Sequence, residues 1–572
     1  MDWYGSDVLV ELLAAHGIEH VAFNPGASFR GLQDSLVFRA DGPGIVLTAD
    51  EGIAVAIAHG YAKATGRPMA VALHDIVGLQ RGAMGIFNAW CDRVPMLVLG
   101  GTGPVAKTDR RPWIDWIHTA LVQGNQVRDY VKWDDQPATV ADVPESFIRG
   151  LRAACSAPAG PVYLCYDAGL QEQLLEGPPG LDAGDDYPLP TPPAPEEGDL
   201  AWLAERCAAA RLPVLVSDYA GDTPAGFQAL VDLAELLHAP VLDGGARLCF
   251  PTDHPLNATG APEILDEADV VVAIDVEDLF GTLRGHVYET TGHTVAKSRP
   301  VTVVHFTPAH YKLRAWSSDY QRLAPLDRLV SATAETALAG LLAACRKRPP
   351  AGDRLVARRE RLDGAREQQR RGWWAEAVAM EHPTAVQPAR LAAELWEVLR
   401  DESWVLANGS LSGWERRLWD FRRARQHLGW HGGGGLGYGL GASIGAALAL
   451  GSQALCVDLQ PDGDFLFTPS ALWTLAHYRL PLLIVMHNNR QYGNTVDHAE
   501  RIAAERGRPV DKYAATTLDD PAVDYAAVAR GYGLWAAGPV TRARDLPQVL
   551  AEAVGVVRSG RPALVDVVTV GS

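Results

Sequence analysis

The residues whose types and spacing suit chemistry lie between positions 461 and 493. Pro461-Asp462-Gly463-Asp464 follows the apolar run Gln453–Leu459. Asn488-Asn489 follows the apolar run Leu482–Met486, and the helical pattern Ser470–Tyr478 lies between them. Apolar runs closed by turn residues read as buried strands, so two strand ends bring Asp462 and Asn489 to one edge of a sheet. Parallel sheets bind ligands at that edge. Both side chains offer hard oxygens, and magnesium takes few of these from protein, completing its octahedron with water and substrate phosphate. The N–H groups of Gly463 and Asp464, at the turn into the helix, suit an anion. The segment is therefore either a magnesium–diphosphate site or an ordinary βαβ turn, which Asp, Gly and Asn favour in any protein.

The elements that must hold these residues repeat along the chain. Residues 1–170 alternate helical and strand patterns: helix Asp7–His16, strands Val21–Phe23 and Ile45–Leu47, helix Ile53–Thr65, strands Met69–Leu73 and Pro95–Leu99. Such alternation predicts a parallel sheet covered by helices. The helix Ile53–Thr65 carries small residues along one side, which permits close packing against a neighbour. A Pro-rich acidic stretch, 186–197, reads as an extended linker. Beyond it, Leu212–Val216, Pro240–Leu242, Val270–Ile274 and Val301–His305 are strands of a second α/β unit with no GxGxxG or Walker A pattern. Residues 347–369 are highly charged with alternating signs and read as a linker entering a solvated helix. The fold class is thus α/β, with three doubly wound parallel-sheet domains at 1–185, 198–345 and 380–572.

The bulk numbers fit. A chain of 572 residues is too long for one core, and 48% apolar with 21% charged residues is ordinary for a globular protein. The formal charge of −18 disfavours a general nucleic-acid or anionic-membrane binder, and makes local cations or a metal necessary for any anionic ligand. No membrane span and no secretory signal is read. The seven scattered cysteines form no CxxC pair and read as buried thiols of a cytoplasmic protein.

Glu51 stands where a strand hands over to a helix, a place where a carboxylate also favours the positive end of the helix dipole. His74 follows the strand Met69–Leu73 and is either a packed core imidazole or a site residue. A glycine run, Gly432 to Gly439, opens the small-residue helix Ala442–Leu450.

Together these segments resemble the thiamin-diphosphate-dependent enzymes, in the branch of benzoylformate decarboxylase, acetolactate synthase and pyruvate decarboxylase. The family signature is Gly-Asp-Gly followed in the mid-twenties by Asn-Asn; here 27 positions separate Asp462 from Asn489. Asn24-Pro25-Gly26, Glu51, Ala58-His59-Gly60-Tyr61-Ala62 and Gly66-Arg67-Pro68 resemble the pyrimidine-binding domain, and Asn-Pro-Gly with His74 resembles benzoylformate decarboxylase most. The resemblance implies that Glu51 bonds N1′ of the aminopyrimidine, that His74 faces substrate and that Pro25 borders the cofactor. It implies magnesium on Asp462, Asn489 and the Gln491 carbonyl. Diphosphate contacts then fall to Asn408, Ser410, Ser412, Gly463 and Asp464. Gly434 is placed at the 4′-amino group and Leu436 beneath the bent cofactor. The central domain is implied to be a Rossmann-like spacer, and nothing in its sequence indicates FAD or ADP.

Four departures stand out: Pro461 for the first signature glycine with Asp464 for the small residue after the second, Gly409 for an acidic residue, Ala27 for an active-site serine, and Thr495 for a catalytic glutamate. Asp497, His498 and Glu500 are substitutes for that acid or solvated charges. His118 resembles one member of a catalytic histidine pair, against a plain surface histidine. The expected activity is cleavage or formation of a C–C bond on a 2-oxo acid. A 2-hydroxyacyl-CoA lyase is the alternative enzyme, and a non-catalytic cofactor-binding homologue the alternative of another class. Relatives build the site between subunits, so self-association is expected, with no nucleic-acid or membrane partner.

Overall fold

The computed structural model describes residues 2–571 apart from 40, 112–114, 121, 179, 181–186, 310–319, 321, 430, 431 and 510–514. The C-terminal end of the first expected domain, at 185, lies outside the described residues. The chain divides into two compact units. One contains residues 1–190, 380–412 and 431–572; the other contains 191–379 and 413–430.

The first unit holds two parallel sheets. The N-terminal sheet contains β1 (His20–Phe23), β2 (Gly44–Leu47), β3 (Met69–Leu73), β4 (Met96–Thr102), β5 (Asp134–Asp135) and β6 (Pro161–Asp167), in the order β2-β1-β3-β4-β6-β5. Helix α1 (Glu51–Thr65) crosses from β2 to β3, and α2 (Asp75–Cys91) from β3 to β4. The apolar runs are buried strands: Met69 to Leu73 and Met96 to Leu99 have no exposed surface.

The C-terminal sheet is β12 (Trp404–Asn408), β13 (Leu455–Pro461), β14 (Leu482–Asn488), β15 (Trp535–Val540) and β16 (Ala563–Val568), ordered β12-β13-β14-β16-β15 and again parallel. Its helices include α5 (Gly439–Leu450), the single turn α6 (Asp462–Phe465), α7 (Ala471–Tyr478) and α8 (Gly493–Glu505). Pro461 is opposite His487 in the β13–β14 register, so the two strand ends lie side by side as their sequences imply.

The two sheets are joined through α1 and α5, and the contact depends on missing side chains. A Cβ on Gly60 would lie 1.9 Å from the Ala442 carbonyl oxygen, and one on Gly445 would lie 1.9 Å from that of Ile57. Backbone meets backbone there, which only glycine permits. A second tie comes from α7. The Tyr478 hydroxyl accepts from Leu47 N–H (2.8 Å) and donates to the Ile45 carbonyl (2.9 Å), while Thr474 Oγ1 donates to Leu47 O. This pins the end of β2, four residues before Glu51.

The second unit is a five-stranded parallel sheet of β7 (Pro213–Ser217), β8 (Val241–Asp243), β9 (Val270–Ile274), β10 (Thr302–Phe306) and β11 (Arg328–Val330), in the order β8-β7-β9-β10-β11. Residues 413–430, which the sequence assigns to the last domain, pack here: Arg416 pairs with Asp243 at 2.7 Å and Thr252 Oγ1 donates to Trp419 O. The charged stretch 347–369 also differs from expectation. It forms α3 (Gly352–Leu362) and enters α4 (Ala365–Ala379). Within it Arg358 and Arg366 are buried, with their guanidinium groups on main-chain carbonyls of Cys207, Ala210 and Thr252. A guanidinium has five donors and can serve several orphan carbonyls at once, so a charged residue can belong inside.

Candidate active site

At the end of β13 the chain turns sharply into α6. Proline at 461 closes the strand with φ −67°, the angle its ring imposes, so this departure costs the turn nothing. Asp462 is buried and accepts two main-chain bonds, from Gly463 N–H (2.9 Å) and from Arg490 N–H (2.7 Å). The second bond brings the loop after β14 onto the Asp462 carboxylate. In that loop Asn489 Oδ1 accepts from Gln491 N–H, and Gln491 forms a bridge to Thr517. Asp462, Asn489 and Gln491 are therefore gathered at one turn.

Burial nevertheless pushes the Asp462 carboxyl up to about 6, against the pull of its N–H donors. A buried carboxylate that its own hydrogen bonds do not neutralise, beside an amide oxygen, fits a hard divalent cation. Among the described residues no three His, Cys, Asp or Glu side chains gather to hold a metal; the set here has one carboxylate, with amide and main-chain oxygens beside it.

Two expected diphosphate contacts have other partners. Gly463 N–H is occupied by Asp462 Oδ1. Asn408 donates its amide to buried Asp458 at 2.9 Å. Asp458 is held at about 7, mainly by burial, with the Asn408 bond opposing. Gly409 follows with φ +86°, and a Cβ there would stand 1.7 Å from Leu459 O, so the missing acidic side chain has no room in this fold. Ser410 is half-buried and Ser412 exposed in the same loop.

Asp464 is the departure whose role sequence reasoning missed. Its carboxylate is turned inward, accepting from Gly437 N–H (2.8 Å), Gly439 N–H (3.1 Å) and the Gln460 side-chain amide (2.7 Å). The glycine loop lies against α2, where Asn88 bonds both the N–H and the carbonyl of Gly435. Gly434 takes φ +67° and Leu436 stands 42% exposed.

Glu51 is the first residue of α1 and only 5% exposed. Its neighbour Asp50 caps the helix through Gly52 N–H, and Arg81 of α2 pairs with Asp50 and lies 3.7 Å from Glu51. A Cβ on Gly78 would come within 2.9 Å of Glu51 Oε1, so glycine there leaves the carboxylate its place.

His74 directly precedes α2, beneath the Asn24-Pro25-Gly26 turn. A Cβ on Gly26 would fall 2.2 Å from the His74 ring, while Pro25 is exposed. The Ser28 hydroxyl meets His74 Nδ1 at 2.8 Å and the Ser28 amide N–H points at the same nitrogen. Nδ1 therefore accepts, and the ring proton sits on Nε2. Burial, then His118 and Arg111, push His74 down to about 4, so the imidazole is neutral at pH 7. The position after Ala27 thus carries a hydroxyl that contacts His74. His118, against the expectation of a surface residue, is half-buried with its ring 5.3 Å from that of His74; residues 113 and 114 of the stretch 113–118 that carries the resemblance lie outside the described residues. Asp497, His498 and Glu500 sit on exposed positions of α8.

Residues 4–127 match the family described as thiamine pyrophosphate enzyme, N-terminal TPP binding domain, and residues 407–567 match its C-terminal TPP binding domain. The chain belongs to the thiamin-diphosphate-dependent enzymes. Among curated proteins it is 28% identical to a benzoylformate decarboxylase of Pseudomonas aeruginosa, over 98% of this chain and 97% of that one. It is 24% identical to the acetolactate synthase isozyme 3 large subunit of Escherichia coli, over 99% and 95%. The fold is that of a thiamin-diphosphate-dependent 4-hydroxybenzoylformate decarboxylase from Rhodococcus jostii, with TM-score 0.79 at 22% identity over the whole of both chains.

Proposed function

We propose that this enzyme uses thiamin diphosphate and magnesium to break or form a C–C bond next to the carbonyl of a 2-oxo acid, as a decarboxylase or carboligase. The observation that carries the proposal is the neutral Ser28–His74 pair under the Asn24-Pro25-Gly26 turn, in the same unit as buried Glu51. Thiamin diphosphate supplies, when bound, a nucleophilic carbon and an electron sink for the cleaved bond. Glu51 would hold the proton shared with the pyrimidine nitrogen, Asp462 and Asn489 would hold magnesium, and the Gly434 carbonyl would orient the amino group. His74, with Nε2–H as a donor, would hydrogen-bond the substrate carboxylate or carbonyl without placing a second charge beside it.

A panel of 2-oxo acids, aromatic ones first, offered to the cofactor-loaded enzyme tests the substrate class through CO₂ release. In Glu51→Gln the turnover is expected to fall by about 10²–10⁴, the usual contribution of general acid–base groups. Turnover above a tenth of normal would sink the role of Glu51. Self-association is part of the same proposal, because relatives complete the site with a second subunit. Light scattering should find a dimer or tetramer, and a monodisperse active monomer would remove that part.

A further inference from the structure

The glycine loop is held at every second residue. Asn88 accepts from Gly435 N–H (3.2 Å) and donates to Gly435 O (3.1 Å). Asp464 accepts from the N–H groups of Gly437 and Gly439, and Thr468 Oγ1 donates to Gly437 O (3.2 Å). Asn88 and Asp464 are themselves buried, at 2% and 6% exposure, and come from different sheets: Asn88 from the helix that also borders Glu51, Asp464 from the turn that carries Asp462. Leu436 lies between the held residues Gly435 and Gly437, and Gly434 directly precedes the first of them.

We propose that Asn88 and Asp464 are positioning residues that form a two-point clamp on this loop, fixing Gly434 and Leu436 for the cofactor before it arrives. The proposal rests on the thiamin-diphosphate reading of the loop, but the clamp itself is a property of the cofactor-free chain. It also explains how a carboxylate is tolerated two residues from Asp462. Two main-chain N–H groups and an amide converge on the Asp464 oxygens, so the charge is satisfied within the protein and directed away from an incoming anion. Loops ordered in advance spend less of the binding energy on ordering. Removing the carboxylate is therefore expected to weaken cofactor binding even though it removes a negative charge.

Hydrogen exchange followed by mass spectrometry on the cofactor-free full chain tests the clamp directly. Asp464→Asn and Asn88→Ala should each speed exchange across residues 432–440 about ten-fold or more, roughly the loss of one well-made hydrogen bond. Exchange in β13, residues 455–460, should stay at the wild-type rate. Titration of thiamin diphosphate with magnesium, read by tryptophan fluorescence, should give a Kd raised about ten-fold in both variants. Unchanged exchange at 432–440 overturns the clamp. So does faster exchange in β13 as well, which would make these residues general supports of the fold. A tighter Kd in Asp464→Asn also overturns it, since the carboxylate would then act only by repulsion. If wild-type protein binds no thiamin diphosphate while the exchange pattern holds, the cofactor reading fails and the clamp stands.

Discussion

At the scale of single residues, the departures at Gly409, Pro461 and Asp464 each have a local physical cause. A side chain at Gly409 would strike Leu459 O, Pro461 suits the turn it closes, and Asp464 is consumed by the glycine loop. The Ser28–His74 contact gives a further prediction. Ser28→Ala removes the hydroxyl that fixes the His74 ring, and a misplacement of that order costs a reaction about 10²-fold. We expect kcat/KM to fall about 10–100-fold with the melting temperature nearly unchanged. Equal activity would show that the imidazole needs no such partner. None of this was legible in the sequence. Residue types singled out Glu51, Asp462 and Asn489 as candidates, but nothing in a linear string says that Ser28 reaches His74 across 46 positions, or that Asp464 points inward.

At the scale of elements the sequence was more informative, because strand burial and helix period leave a direct mark on it. The runs Met69–Leu73, Val270–Ile274 and Leu482–Met486 became central strands, and the small-residue face of the helix at 53–65 became a contact face. The charged stretch 347–369 misled, since charge pattern reports solvation only when no carbonyl waits inside for a donor. The α1–α5 contact supplies a stability test. Gly60→Ala would force the helices apart at the Ala442 carbonyl, and overpacking of this kind typically costs about 1–3 kcal/mol. The urea midpoint should drop accordingly, whereas Gly177→Ala, which meets nothing within 4 Å, should leave it within error. Equal midpoints would mean that the helices can separate freely.

At the scale of the whole molecule, the −18 charge and the buried carboxylates set a pH dependence. Asp458 titrates at about 7 in the folded protein against 3.8 in an exposed chain, chiefly through burial. The native state thus holds a proton that the unfolded state has released, and stability from this group is complete below about pH 4 and lost as pH rises through 7. The cofactor-free enzyme should unfold at lower urea at pH 8 than at pH 5, by at most about 2.6 kcal/mol from this residue. Asp458→Asn should flatten that difference, and an unchanged pH slope in the variant would assign the effect to other groups. The Tyr478 clasp has a consequence for inheritance. One hydroxyl from the last third of the gene secures the strand that aims an acid encoded in the first third. Recombination between relatives with a crossover in the middle segment would separate lock from bolt. Chimaeras should then work only when the donor of the rear portion brings a phenol at this position.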